Sequence, residues 1–389
     1  MYRMCLTFAF GISAATLSAF EKIALVDSFD ETRFLDMETM EGTDKFIDYV
    51  LGTGATQIFW RNQSGANPRY PSAEEDRRAM AYSLDKRRVG GTRVFDWARL
   101  DRGETNLLAY ALASIRQRGV VDGIHLTFEE NHWGNCTFGP WNWEHPQYWC
   151  RSLGGTPWPG RCSYVYDEVL AHKMRLLDEL VATGAETLYL DLWRDGYWSP
   201  HLEYTPKMVE EFRREYGRMP TGDAREEEWL RLVSKYTHRY IRAVRARCDA
   251  APRRVKLILA LKELLPDDVR SRNWEHYAID WCALAKEGVF DGIAAMSVEI
   301  DGKDPFGSTR RCYEAVRAAA GDVPVYGHCS AYNRRYGISK YAESAGVTDA
   351  EAAKRLCETA RNAGCAGVVM EVVDFGNYKP DVMKAIKNF

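Results

Sequence analysis

The chain contains no C-x-x-C pair, no H-E-x-x-H, no G-x-S-x-G and no Walker phosphate loop. These absences remove, in turn, the signatures of a structural zinc site, a zinc protease, an α/β-hydrolase serine nucleophile and a P-loop nucleotide site. An excess of charge is missing too: 52 Lys and Arg face 55 Asp and Glu, for a formal net charge of −3. With no basic run there is no electrostatic footprint for DNA or RNA, and nucleic acid is not an expected partner. Beyond the first 20 residues no stretch approaches the roughly 20 apolar residues that a membrane-spanning helix needs. Repeats, linkers and low-complexity tracts are also lacking, which argues for one domain.

The N-terminus reads as a signal peptide. Arg3 supplies a positive charge, Cys5 to Phe20 is apolar and uncharged, and small residues follow at Ser13-Ala14-Ala15 and Ser18-Ala19. This pattern predicts a signal over residues 1–19, a mature domain over 20–389, and a secreted or periplasmic protein with no membrane attachment. Ten Cys minus Cys5 leave an odd number, so at least one thiol stays outside any intrachain pairing. Cys136, Cys150 and Cys162 share one long segment where a disulfide can form. Cys248, Cys282, Cys312, Cys329, Cys357 and Cys365 are expected as small buried hydrophobes. Aromatic residues are the compositional outlier, with 12 Trp and 21 Tyr. Trp133, Trp141, Trp143, Trp149, Trp158, Trp193 and Trp198 crowd into one part of the chain, more densely than core packing alone asks.

Eight strand-like runs can be placed: Ile23 to Phe29, Thr56 to Arg61, Gly123 to Glu129, Thr187 to Leu192, Val255 to Leu261, Gly292 to Val298, Val323 to His328 and Gly367 to Val372. Segments with helical periodicity separate most of them: Asp44 to Leu51, Asn106 to Gln117, Tyr166 to Thr183, Glu226 to Cys248, Trp274 to Glu287, Thr309 to Ala320 and Asp349 to Asn362. Several helices end in a Gly that leads into the next strand (Gly54, Gly119, Gly184, Gly288 and Gly364), the punctuation of αβ turns. The expected fold is α/β, a (β/α)8 TIM barrel. The alternative, an open doubly wound sheet, lacks a G-x-G-x-x-G cradle in its first βα turn. A further strand-like run, Arg93 to Trp97, is assigned to a long loop. Residues 62–104 and 131–165 are long βα loops, expected as ordered walls of an aromatic-rich cleft.

Carboxylates close one strand after another. Glu129 and Glu130, Asp191, Glu263, Glu299 and Glu371 each stand at or just past a strand end, with His328 and Asp374 nearby. In a parallel barrel all strand C-termini emerge on one face, where acidic residues read as catalytic or ligand-binding. Arg194 can reach back to Asp191 and keep it ionised. An apolar surround would hold Glu263 protonated, as a general acid must be. An ionised and a protonated carboxyl on neighbouring strands is the pairing that glycoside hydrolysis uses. Alternation sends only one of Glu129 and Glu130 inward. Trp133, Trp141, Trp143, Trp193 and Trp198 are candidate platforms for stacking on sugar rings. His125, Glu129 and His132 offer a competing metal site, although no motif supports their spacing.

The stretches Leu188 to Pro200, Met208 to Gly217, Trp229 to Val244, Val255 to Leu261, Phe290 to Met296 and Gly327-His328 resemble the family-10-like glycosyl hydrolases, barrels related to the α-amylase superfamily. The resemblance covers roughly residues 22 to 380. It implies a candidate nucleophile at the end of the fourth strand, here Asp191, and an acid at the end of the fifth, here Glu263. Two departures stand out. Asp191-Leu192-Trp193-Arg194 replaces an Asp-Asp-Tyr type sequence, and Lys262-Glu263 replaces Ser-Pro.

The resulting expectation is a glycosidase acting on a poly- or oligosaccharide, with Asp191 and Glu263 catalytic and no cofactor. Arg194, Glu129, Glu130, Glu299, His328, Glu371, Asp374 and the five platform tryptophans would bind substrate. Two alternatives are a non-catalytic carbohydrate-binding barrel and a metal-dependent sugar isomerase or lyase.

Overall fold

The computed structural model describes residues 20–64, 67–68, 70–75, 106–127, 140–192, 199–223, 225–262, 264–296, 298, 301–331, 337–372 and 378–389, except 27–38. Eight parallel strands close into a barrel. They are β1 (Glu21–Val26), β2 (Gln57–Arg61), β5 (Val121–Leu126), β8 (Thr187–Leu190), β9 (Lys256–Leu261), β10 (Gly292–Ala295), β11 (Val325–His328) and β12 (Gly367–Val372). They follow one another around the barrel in chain order, and β12 pairs with β1 to complete it. Two short antiparallel pairs lie in the loops: β3 (Gln63–Ser64) with β4 (Asn67–Pro68), and β6 (Trp149–Arg151) with β7 (Pro157–Cys162).

Each barrel strand sends alternate residues to two different cores, as the period of two requires. The outward set, including Val26, Ile58, Ile124, Leu190, Leu259, Ile293 and Val368, packs against the surrounding helices. Truncating one of these to Ala removes contacts on all sides and costs about 2–5 kcal/mol. The inward set is Ile23, Leu25, Phe59, Tyr189, Ile258, Ala260, Ala294, Met296, Tyr326 and Val369. Its aromatic rings fit because glycine stands beside them. A Cβ built on Gly123 would lie 2.3 Å from the Phe59 ring, and one on Gly292 would lie 2.9 Å from the Tyr326 ring. Below the rings, Glu21 Oε2 accepts hydrogen bonds from Gln57 Nε2 (2.6 Å) and the Tyr326 hydroxyl (2.9 Å), pairing these groups at the barrel floor.

The helices are α1 (Met40–Leu51), α2 (Leu107–Gln117), α3 (Pro140–Glu144), α4 (Asp167–Val181), α5 (Pro206–Tyr216), α6 (Glu227–Ala250), α7 (Ser271–Tyr277), α8 (Trp281–Lys286), α9 (Pro305–Ala320), α10 (Ile338–Ala345), α11 (Asp349–Asn362) and α12 (Pro380–Lys387). All eight expected strand positions and the alternation with helices are present. The five punctuating glycines (54, 119, 184, 288 and 364) all adopt left-handed φ between 72° and 76°, closing αβ turns as expected.

One expected helix differs. Trp274 to Glu287 is split into α7 and α8, because Ala278 turns left-handed at φ 50°. Asp280 then caps α8 by accepting from the Ala283 amide at 3.0 Å, while its own amide donates to His238 Nε2 at 3.0 Å. Those bonds outcompete continuation of the helix. The strand-like run Arg93 to Trp97 lies outside the described residues.

Candidate active site

The C-terminal ends of the barrel strands carry a ring of buried polar side chains. Alternation continues the inward row past Phe59 to Arg61, past Gly123 to His125, past Tyr189 to Asp191, past Ala260 to Lys262, past Tyr326 to His328 and past Val369 to Glu371. All six are buried. A buried polar group is costly unless it is hydrogen-bonded or paired, so a ring of them is not a packing solution.

Two contacts organise the ring. On one side the His125 imidazole Nε2 lies 3.0 Å from Asp191 Oδ2, with both residues only 1% exposed. The register brings them together. His125 pairs with Tyr189, so Asp191 stands one inward position above the ring against which His125 packs edge-on at 5.4 Å. On the other side Lys262 Nζ lies 3.8 Å from Glu371 Oε1, the long Lys side chain reaching from β9 across the mouth towards β12. His328 completes that side. Burial lowers its pKa to about 4; the Glu371 charge opposes the shift and the Lys262 charge reinforces it, so the imidazole is neutral at neutral pH. Its backbone amide donates to the Tyr313 hydroxyl at 2.8 Å. Among the described residues, His328 Nε2 has no hydrogen-bond partner.

Of the residues expected from sequence, the barrel mouth holds Asp191, His328 and Glu371. Glu129, Glu130, Trp133, Trp193, Arg194, Trp198, Glu263, Glu299 and Asp374 lie outside the described residues, as does His132 of the competing metal set. Among the described residues, no group of three His, Cys, Asp or Glu is arranged to hold a metal ion. His125, expected only in the competing metal set, is the neighbour of Asp191. Lys262, expected only beside Glu263, lies 3.8 Å from Glu371. The signal for both was alternation along their own strands, but pairing each with its partner needs the register between strands.

The tryptophan-rich insertion is a lobe built from α3 and the β6–β7 pair. Trp141 does not present an open face for a sugar. Its ring stacks on His145 and on His172 of α4, each centroid 4.2 Å away and nearly parallel, and it packs against the main core. The expectation of a stacking platform there is corrected: the indole joins the lobe to the barrel. Trp143, by contrast, is 60% exposed and tilted against Trp149 at 5.9 Å.

Beneath Trp141 sits a buried carboxyl, Glu75, which accepts from the Trp141 amide at 3.2 Å and meets His172 Nε2 at 3.1 Å. Burial pushes Glu75 up to about 7, and burial drives His172 down to about 2. A protonated Glu75 donating to a neutral His172 satisfies both shifts. In the same lobe, Cys150 Sγ lies 3.6 Å from Glu203 and Cys162 Sγ lies 3.5 Å from Asn142. Cys136 lies outside the described residues. Cys248, Cys282, Cys312, Cys329, Cys357 and Cys365 are all buried.

No protein-family model matches the sequence, and no curated protein is similar to it in sequence. Solved structures do match. The catalytic domain of β-amylase from Paenibacillus polymyxa superposes with a TM-score of 0.61 at 11% identity, over 96% of this chain and 98% of that one. The resemblance is one of fold. The glycoside hydrolase domain of PgaB (BpsB) from Bordetella bronchiseptica also reaches 0.61, at 14% identity, over 95% of this chain and 98% of that one. Alpha-L-fucosidase isoenzyme 2 from Paenibacillus thiaminolyticus gives 0.56 at 12% identity, over 95% of this chain and 48% of that one. The chain thus shares its (β/α)8-barrel fold with these domains.

Proposed function

We propose that this chain is a glycoside hydrolase that cleaves glycosidic bonds of a poly- or oligosaccharide at the C-terminal mouth of its barrel. The observation that carries the reading is Asp191: a carboxylate delivered to the mouth by β8 and held at 3.0 Å by His125. With Nε2–H donating to Oδ2, the Asp191 carboxylate would stabilise positive charge developing at an anomeric carbon. Glu263, one residue past Lys262, is the proposed general acid/base. It would protonate the leaving oxygen and then take a proton from water. Lys262, His328 and Glu371 would hold hydroxyls, and Trp143 offers an exposed aromatic face. The fold similarity to β-amylase and PgaB domains supports the reaction class without naming the sugar.

Reducing-sugar release from a broad glycan panel tests the reading. Asp191→Asn and Glu263→Gln should each lower turnover on a cleaved glycan by a factor on the order of 10² to 10⁴ while remaining folded. Turnover that survives both substitutions would remove this pair from the reaction. The proposed protein is exported, with residues 1–19 as its signal. N-terminal sequencing of the protein recovered from its native compartment should begin near residue 20, and an intact Met1 would overturn export.

A further inference from the structure

Two insertions, one after β2 and one after β5, meet at a single buried carboxyl. Residues 70–75 run along α4, where His172, Arg175 and Glu179 share one face at spacings of three and four. Glu179 accepts from the Ser72 hydroxyl and the Ala73 amide, each at 2.7 Å, and Arg175 Nε donates to Glu74 Oε2 at 2.7 Å. These contacts pin the segment to α4. Glu75, 4% exposed, reaches further: Oε1 lies 3.1 Å from His172 Nε2, and Oε2 accepts from the Trp141 amide of α3 at 3.2 Å. It is the joint between segment, helix and lobe.

His172 has a carboxyl group on each side. Glu75 faces Nε2, and Glu74 Oε2 lies 3.7 Å from Nδ1. A neutral imidazole carries one N–H, so it can serve only one of the two. Burial resists a second ring proton, the Lys173 and Arg175 charges reinforce it, and Glu74 opposes them. Glu74 is bound to Arg175 and partly exposed, whereas Glu75 is enclosed. Glu75 therefore brings its own proton, donating from Oε1 to Nε2 while Oε2 accepts from Trp141. Its other surroundings fit: burial raises its pKa most and Glu74 adds to that, against Lys173, the Trp141 amide and His145. Once ionised, Glu75 could keep its bond only if the N–H moved from Nδ1 to Nε2, turning a ring lone pair towards Glu74.

We infer that Glu75 is a proton-operated latch between the two insertions. Protonated, it fastens α3 to residues 70–75 and α4; ionised, it withdraws from Trp141 and frees that corner of the lobe. The lobe follows the C-terminal end of β5, so this wall of the mouth is held more tightly in acidic medium than in alkaline. The latch works whatever reaction the mouth performs.

Amide hydrogen exchange on the full chain, read by mass spectrometry between about pH 5 and pH 8 and corrected for intrinsic exchange, tests it. The reporters are peptides over 140–148, which include the Trp141, His145 and Tyr148 amides, with α6 (Glu227–Ala250) as reference. Glu75 is raised from 4.5 to about 7, so closure is complete below 4.5 and lost as pH rises through about 7. Protection of the reporters should fall about tenfold per pH unit between those values and level off above them, remaining below that of α6 throughout. Glu75→Gln, which can still donate to His172 and accept from Trp141, should hold protection flat. Glu74→Gln removes the competing carboxylate, and the levelling point should move to lower pH. Reporters that do not respond to pH, that exchange only together with α6, or that respond equally in Glu75→Gln would each overturn the latch.

Discussion

Glu75→Gln isolates a single proton. The folded carboxyl titrates at about 7, against an ordinary value of 4.5, because burial under Trp141 disfavours its charge. Between those two values the native state holds one more proton than the unfolded chain. Stability therefore falls by about 1.4 kcal/mol for each unit of pH rise through that window. The full contribution is present below pH 4.5 and is lost as pH rises through about 7, where it totals about 3 kcal/mol. Gln cannot ionise and can still donate to His172 Nε2. The variant should therefore gain on the wild type by about 3 kcal/mol between pH 4.5 and pH 8. Other titrating groups, His172 included, contribute to both proteins and cancel in the difference. Urea unfolding of both proteins at half-unit steps from pH 4.5 to 8 measures it. A stability difference that stays flat across that range would refute the reasoning and return Glu75 to an ordinary carboxylate.

Three further outcomes follow from the same geometry. His125→Gln should lower kcat on any cleaved glycan by a factor on the order of 10² with little change in KM, because His125 positions Asp191 rather than touching substrate; an unchanged kcat would separate the two residues functionally. Gly123→Val should destabilise the barrel by about 1–3 kcal/mol by driving a side chain into the Phe59 ring, and Phe59→Leu in the same chain should recover part of the loss. Asp291 is partly buried, which would raise its pKa, yet the Leu257 amide and the guanidinium groups of Arg254 and Arg245 hold it below the ordinary 3.8. It stabilises the fold above that value and ceases to as pH falls through its lowered pKa, so Asp291→Asn should flatten the acid limb of a pH–stability curve.

The barrel was legible because each strand carries its own evidence. Thr187 to Leu192 and Val255 to Leu261 are apolar runs too short for helices, and Gly184 announces the turn before one of them. Neighbour-dependent features were not legible. The break at Ala278 has no Gly or Pro to mark it, and it exists because Asp280 finds a cap and His238 an amide from another helix. In the mouth, Asp191, His328 and Glu371 were readable from position alone. The pairing of His125 with Asp191 depends on the registers of β5 and β8, and that of Lys262 with Glu371 on strands far apart in sequence that face each other across the mouth. Trp141 misled for a related reason: exposure in a loop suggests a platform, but His145 and His172 arrive to cover the ring.

The inward rings of Phe59, Tyr189 and Tyr326 have a consequence for traffic. They fill the barrel directly below the polar ring, and Glu21, Gln57 and Tyr326 tie off the floor beneath them. The chamber is thus a dead end. In the proposed hydrolase a saccharide chain would not thread through the barrel, so substrate would enter, and both products leave, by the loop side alone. Protons exchanged with bulk water would take that same route, past the sugar held at the mouth.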